Sequence, residues 1–523
     1  MLRPETMNQG NSIMTAMNPC NDGAPRGGRP RAGRIATAAV AAVTLALGAC
    51  DLTAPSPAQI EDRDIRDPVI LDALLTGAES DYGRGLTQMG GGGVVIAGGV
   101  LTDELVHSGS WVGLEGPSWG LAGDHWVEAQ SRWAEPSRAR FTTEHAVELG
   151  RDIIENLIGE DPDADPRIAR VTFYAGMAHR TLADNFCNVV YDAGPLLPYT
   201  DGYLRAIQHY DDAIYRANRR IQAVQADPEL DPAAIETAVA AMENLISAAR
   251  GAMAQTYLIM ATEGMGEEFW DRALQNAALV PTDFVWTFRM ISGDRNSNRV
   301  PAWTRSRTET TMWQTPFGDW GLDVDKPLEG GDPRVAFDAP VEADGSYVVA
   351  HDNRRPAWMQ RKYTSVGNNF PLVKGTEMRL IEGEVALVRG DWQTAIDKIN
   401  EIRRHYNDGA GASWWFTALG PEPLDMVSAS SLEEAWHALM KERGIELYLE
   451  GRRLSDLRRW QTNPGRDMVP FTVVRRDSGE ADPWTDPRIS VWLRERGETE
   501  IPPHEFCLQV SRDEKASNPN IGG

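Results

Sequence analysis

Between Glu442 and Trp460 the chain reads ERGIELYLEGRRLSDLRRW, in which nine of nineteen residues are charged and apolar residues recur between them. Leu447, Leu449, Leu454 and Leu457 call for burial, so the charges beside them must be buried too. Glu442, Glu446 and Glu450 stand at i, i+4 and i+8, on one helical face, where they would repel one another. Arg443, Arg452, Arg453, Arg458 and Arg459 supply the countercharge, and Asp456 is spaced to pair with Arg452 and Arg459. Gly451 reads as the tight turn between two helices. A buried charge that loses its partner costs several kcal/mol, so a fold containing this stretch has to satisfy these groups mutually. A catalytic reading would need two carboxylates about 5–10 Å apart across a cleft, with shifted pKa values. Carboxylates among so many guanidinium groups stay ionised and make poor general acids. The stretch therefore reads as framework.

Helical periodicity covers most of residues 65–290. It is clear in FTTEHAVELGRDIIENLI (141–158), in YLRAIQHYDDAIYRANRRIQAV (203–224), and in the Ala-rich segment 234–261. DPRIARVTFYAGMAHRTLADNF (165–186) adds an Asp-Pro start of the kind that caps helices. Ala and Gly cluster in these segments and allow close backbone approach. Successive helices of similar length predict a helical-repeat array. Helices return at 374–407, where Met378, Ile381, Val385 and Val388 form a stripe, Gly390 ends one helix, and Trp392, Ala395, Ile399 and Ile402 begin the next. Ala386, Gly390 and Ala395 stand where a tetratricopeptide-type hairpin wants small residues.

From about 292 to 372 the periodicity fades and Pro, Gly, Asn, Asp and Trp rise, which predicts long loops with short strands such as SYVVAHD. The chain has 17 Trp against 12 Tyr and 12 Phe, and many of the Trp fall in stretches of poor periodicity. These are Trp111, Trp119, Trp126 and Trp133 early in the chain, Trp303, Trp313 and Trp320 with Phe317 in the long irregular region, and Trp414, Trp415 and Phe416 in a later loop. An indole face stacks on the C–H face of a sugar, on a cation or on a peptide group. It can equally pin down a loop that lacks a regular core.

Other motifs fail their tests. MGGGGVVIAGG (89–99) lacks the ending of a phosphate-binding loop and reads as a flexible turn before a helix. DPDADP (161–166) has Thr172 where a calcium loop needs Glu. The nine His form no H-E-x-x-H, and no Gly-x-Ser-x-Gly elbow occurs. The reading contains no catalytic residue, no metal and no cofactor.

The N-terminus reads as an address. Arg26, Arg29, Arg31 and Arg34 precede the apolar run Ile35 to Cys50, which ends Leu-Gly-Ala-Cys like a bacterial lipobox. That end implies cleavage before Cys50 and lipidation of its thiol, with residues 50–64 as a polar tether. Removing residues 1–49, which hold five Arg and two acidic residues, takes the formal charge from −24 to −27. A surface this acidic argues against nucleic acid or an anionic membrane as partner, since both need cations. Cys187 and Cys507 remain as the only possible disulfide pair in the cleaved chain, and the preferred reading is two buried free thiols.

Four segments together resemble the SusD/RagB family of lipid-anchored nutrient-binding proteins: MRLIEGEVALVRGDWQTAIDKINEIRR, GGDPRVAFD (330–338), KERGIELYLEGRRLSDLRRW and NPNI near the C-terminus. Their order and rough spacing match as well. The stretch between Pro503 and Asn518 is longer than the family pattern, and the loop aromatics fit no fixed motif. The resemblance implies a mostly α fold, with a tetratricopeptide-like helical body (about 65–290 and 374–460) and a loop-rich half (about 292–372) bearing the ligand site. It also implies an oligosaccharide or similar oligomeric nutrient as ligand, a TonB-dependent outer-membrane transporter as partner, and an outward-facing position in the outer membrane. By the same token the candidate ligand-binding residues are Trp111, Trp119, Trp303, Trp313 and Trp320. A surface glycosidase and a helical-repeat protein-binding scaffold are the alternatives.

The lipobox generates a direct expectation. Cys50→Ser should release the protein from membranes into the soluble fraction. Continued membrane association in cells lacking any partner transporter would contradict it.

Overall fold

The computed structural model describes residues 65–87, 89–124, 127–293, 296–409, 423–462 and 504–521. Its long helices are α1 (Leu71–Thr87), α2 (Met89–Leu101), α3 (Val127–Asp152), α4 (Pro166–Asn185), α5 (Thr200–Ala226), α6 (Pro232–Thr262), α7 (Glu268–Ala277), α8 (Gly375–Val388), α9 (Trp392–Asn407), α10 (Leu432–Glu446) and α11 (Arg453–Thr462). From α3 to α7 each helix packs on the next, as do α8 and α9. The Asp-Pro starts act as caps: Asp165 accepts from the Arg167 and Ile168 amides, and Asp231 accepts from those of Ala233 and Ala234. Small residues set the helix spacing, since a Cβ on Gly176 would lie 2.6 Å from the Tyr210 ring on α5. Among the described residues, no helix is long and apolar enough to cross a membrane.

The segment between α7 and α8 runs through loops and short strands. These are β2 (Val285–Phe288), β3 (Thr310–Thr311), β4 (Gly321–Asp323), β5 (Asp332–Asp338), β6 (Met359–Gln360) and β7 (Phe370–Lys374), preceded early in the chain by β1 (Val106–His107). β2 pairs antiparallel with the fully buried β7, while β5 lies between a parallel β4 and an antiparallel β6. SYVVAHD contributes only isolated bridges, Val341 to Tyr347 and Val349 to Pro356. The GGDPRVAFD segment instead forms β5.

The stretch 442–460 lies at the meeting point of these parts. Glu446 is fully buried and ends α10. One of its oxygens accepts from Lys374 at 3.0 Å, Thr376 at 2.6 Å and the Tyr406 hydroxyl at 2.8 Å, while the other accepts from Arg334 at 3.2 Å. Arg334 also pairs with Glu442 and Asp332, and Lys374 and Lys362 share Glu450. Burial would raise the Glu446 carboxyl, but Lys374 and Arg334 outweigh it and hold the group down at about 2. Beyond the turn, the arginines of α11 reach separate elements. Arg453 grips Asp103 at 2.5 Å, Arg458 donates to the Ala183 carbonyl of α4 at 2.8 Å, and Arg459 pairs with Glu384 of α8. Leu447, Leu449, Leu454 and Leu457 are all buried, as expected.

Five expectations need correction. Glu450 does not continue the helical face of Glu442 and Glu446, because Leu449 (φ 53°) and Gly451 (φ 71°) turn the chain, and Lys374 reaches Glu450 from another element instead. Asp456 pairs with Arg443 and Arg459, not Arg452. The Gly-rich run 89–99 is not a turn: it forms helix α2, whose residues Val94–Leu101 are buried. Gly98 and Gly99 there lie against Leu454 and Leu449, so burial overrides the weak helix propensity of glycine. Cys187 and Cys507 are not free thiols. They form a disulfide across 320 residues, beside the bridge that pairs Phe186 with Leu508. Val388 leaves its stripe and is exposed at the end of α8.

Glu446→Ala strands Arg334 and Lys374 as buried charges short of a partner, and should cost roughly 3–5 kcal/mol, read as a lowered melting temperature. The sign of its pH dependence follows from the depressed carboxyl. The contribution is fully present above the ordinary value of 4.5 and is lost as pH falls toward about 2. The gap in melting temperature between wild type and variant should therefore narrow over that range. A constant gap would contradict the assignment.

Candidate functional site

Two loops distant in sequence are joined by the antiparallel pair β1 and β3, in which Val106 faces Thr311 and His107 faces Thr310. The pairing continues past the strands. The Ser108 amide donates to the Glu309 carbonyl at 2.8 Å, and the amides of Ser110 and Trp111 donate to the Glu309 carboxylate at 2.8 and 3.0 Å. Gly109 permits this approach, since a Cβ there would fall 1.9 Å from that carboxylate. A third strand of chain closes the arrangement, with the Asp352 amide on the Ser108 carbonyl and the Trp358 amide on the Thr311 hydroxyl.

The result is a compact aromatic cluster. Trp111 and Trp303, 192 positions apart in sequence, meet edge to face with ring centres 5.2 Å apart. The Arg307 guanidinium lies over both rings, at 5.2 and 4.9 Å, and is tethered to Glu309 at 2.9 Å. Glu309 is fully buried, whereas the Arg307 side chain is 45% exposed and half-buried Trp111 stands beside it. The indole nitrogen of Trp111 is buried and has no acceptor among the described residues. Leaving such a donor unmatched costs about 1–3 kcal/mol, so a water or a ligand oxygen is favoured beside it. Thr308 (φ 47°) and Gln314 (φ 59°) hold the loop in the left-handed region without glycine, a strain that accumulates at functional loops.

The five candidate tryptophans do not form one surface in direct contact. Trp303 is only 8% exposed, so it supports Trp111 and Arg307 from beneath and offers little free face. Trp119 is half-buried and donates to Glu115, which also holds His107 at 2.5 Å. Trp313 is half-buried just past β3, its amide donating to the Thr311 hydroxyl. Trp320 packs on Phe317 beneath Lys441, close to Gly444 of α10, and so belongs to the framework side. Trp133 is core. Trp126, Trp414, Trp415, Phe416 and the proposed anchor Cys50 lie outside the described residues.

Arg307 and Glu309 were not singled out from the sequence. The signal available was their position, in TRSRTET between two tryptophans of an aperiodic region. Their partner loop is about 200 residues away, and nothing local announces it.

A tetratricopeptide-like helical body with a loop-rich half defines the class of fold. The model for the SusD family matches residues 346–521. The fold is similar to that of a SusD/RagB family protein from Bacteroides thetaiotaomicron, with a TM-score of 0.54 and 14% identity over 87% of this chain and 94% of that one. It is also similar to a SusD superfamily protein from Bacteroides vulgatus, with a TM-score of 0.53 and 14% identity over 87% of this chain and 98% of that one. No curated protein matches the chain. The likeness to the SusD family thus covers the C-terminal third of the chain in sequence and most of its length in fold.

Proposed function

We propose that the protein is a binding protein of nutrient uptake that captures an oligosaccharide, or a similarly neutral and hydroxyl-rich oligomer, on the cluster around Trp111. The observation that carries this reading is the convergence of Trp111, Trp303 and Arg307 on a loop scaffold braced by Glu309. An indole face supplies flat apolar area at low entropic cost, and a tethered guanidinium supplies fixed donors for hydroxyl oxygens. Loops on a rigid helical body suit such a surface. Trp119 and Trp313, both half-buried in the joined loops, are the further candidate contacts. Trp303 serves as support, and Trp320 is the weakest of the original five because it faces the framework.

Likeness to the SusD family supports the wider setting. The chain is held at the outer face of the outer membrane through a lipid on Cys50 and hands its ligand to a TonB-dependent transporter. The domain boundaries follow the same reading, with a leader at 1–49, a tether at 50–64 and the binding domain at 65–523. No chemical step is needed for this role, since capture and release carry it. Two buried carboxylates with altered proton affinity support a non-enzymatic reading. Glu446 is spent on the framework, and Glu104, pushed by burial up to about 8, accepts from the Leu449 amide inside the core.

Calorimetry against a panel of neutral and acidic oligosaccharides tests the reading. Trp111→Ala should weaken the best ligand by about 1–3 kcal/mol, roughly fivefold to 140-fold in Kd. Trp320→Ala should leave that affinity nearly unchanged. Equal affinity for wild type and Trp111→Ala would move the site elsewhere, and release of shortened products from the panel would point to the glycosidase alternative.

A further inference from the structure

Three consecutive helices each send one side chain to a common point. Glu144 comes from α3, His179 from α4 and His209 from α5. Both imidazoles direct Nε2 at the same carboxylate oxygen, Glu144 Oε1, at 2.8 Å from His179 and 3.1 Å from His209. The two rings stack with centres 5.3 Å apart and planes 17° apart, so their Nε2 atoms face one small volume. All three donor atoms lie within 4.8 Å of one another, and among the described residues this is the one such convergence.

We propose that Glu144, His179 and His209 form a binding site for one first-row transition-metal dication of the Zn²⁺ class, which clamps α3, α4 and α5 together. Two imidazole nitrogens and one carboxylate oxygen, with no thiolate, match the ligand preferences of such ions, and hard cations such as Ca²⁺ would want oxygens alone. A tetrahedral ion with bonds of about 2.0–2.2 Å sets its donor atoms about 3.3 Å apart, so the two carboxylate-to-imidazole spacings need to widen by only a few tenths of an ångström. The other oxygen of Glu144 accepts from Arg140 at 3.0 Å, and Arg140 is also paired with Asp192 at 2.8 Å. That arrangement aims Oε1 at the imidazoles and balances the charge of the arginine, as an outer sphere of ligands does. His179 is fully buried, but Glu144 and His209 are 27% and 24% exposed, so an ion can enter and keep water in the remaining position.

The sequence hides this site because its ligands stand 35 and 30 positions apart on separate helices, with no short motif. Ligands contributed singly by facing helices are a usual construction of bundle metal sites.

The test uses the full chain, stripped with a chelator and titrated with Zn²⁺ in calorimetry and with Co²⁺ by visible absorption. Wild type should take up one equivalent, show Co²⁺ ligand-field bands and melt higher with Zn²⁺. His209→Ala and Glu144→Gln should each bind at least tenfold more weakly, lose the bands and gain nothing in melting temperature. His209→Ala carries the decision because that side chain is partly exposed, and circular dichroism checks that the variant is folded. Failure of wild type to bind an equivalent, or unchanged affinity in folded His209→Ala, would overturn the proposal and leave a hydrogen-bonded triad.

Discussion

The structure depends on the neutralisation of Glu446. Its carboxylate has no exposure, and it takes up donors from β5, from the end of β7, from the start of α8 and from α9. Four segments of the chain are thus tied to one pair of oxygens at the end of α10. Charge burial of this kind gives little net stability compared with apolar packing of the same volume, but losing one partner is expensive. It acts as a condition on the fold. The helices and the loop-rich half can be packed together only in the arrangement that brings Arg334 and Lys374 to the same carboxylate.

The arginines that follow extend the condition. Arg453, Arg458 and Arg459 lie within seven positions on α11, yet they engage Asp103, the α4 carbonyl of Ala183 and Glu384 on α8. A short helix thereby fixes two others and the turn that follows α2. This rigidity is what a binding surface made of loops needs. The cluster at Trp111 stands on strands only two residues long, and its geometry rests on the fixed position of Glu309 relative to the Ser110 and Trp111 amides.

Much of this was legible because it is local. Asp165 announced its helix, the leucines at 447, 449, 454 and 457 announced burial, and Gly451 announced its turn. The charged stretch could be read as framework from composition and spacing, although not with which partners. What stayed hidden is long-range. Nothing near Trp111 indicates that Thr311 will pair with Val106, and nothing near Cys187 indicates that Leu508 will lie alongside. Helix α2 was hidden for a different reason: its glycines look like turn residues until the leucines packed against them are known. The convergence of Glu144, His179 and His209 belongs to the first kind, since each helix shows only one ligand.

The measurement that tests the central claim most directly is amide hydrogen exchange on the full chain, comparing wild type with Glu446→Gln, which keeps the shape and removes the charge. If this carboxylate ties the parts together, protection should fall together in β5 (Asp332–Asp338), β7 (Phe370–Lys374), α8 (Gly375–Val388) and α9 (Trp392–Asn407), while α5 (Thr200–Ala226) stays as protected as in wild type. A change confined to the few residues beside position 446, or none at all, would show that the network is an incidental feature of a fold held by other means.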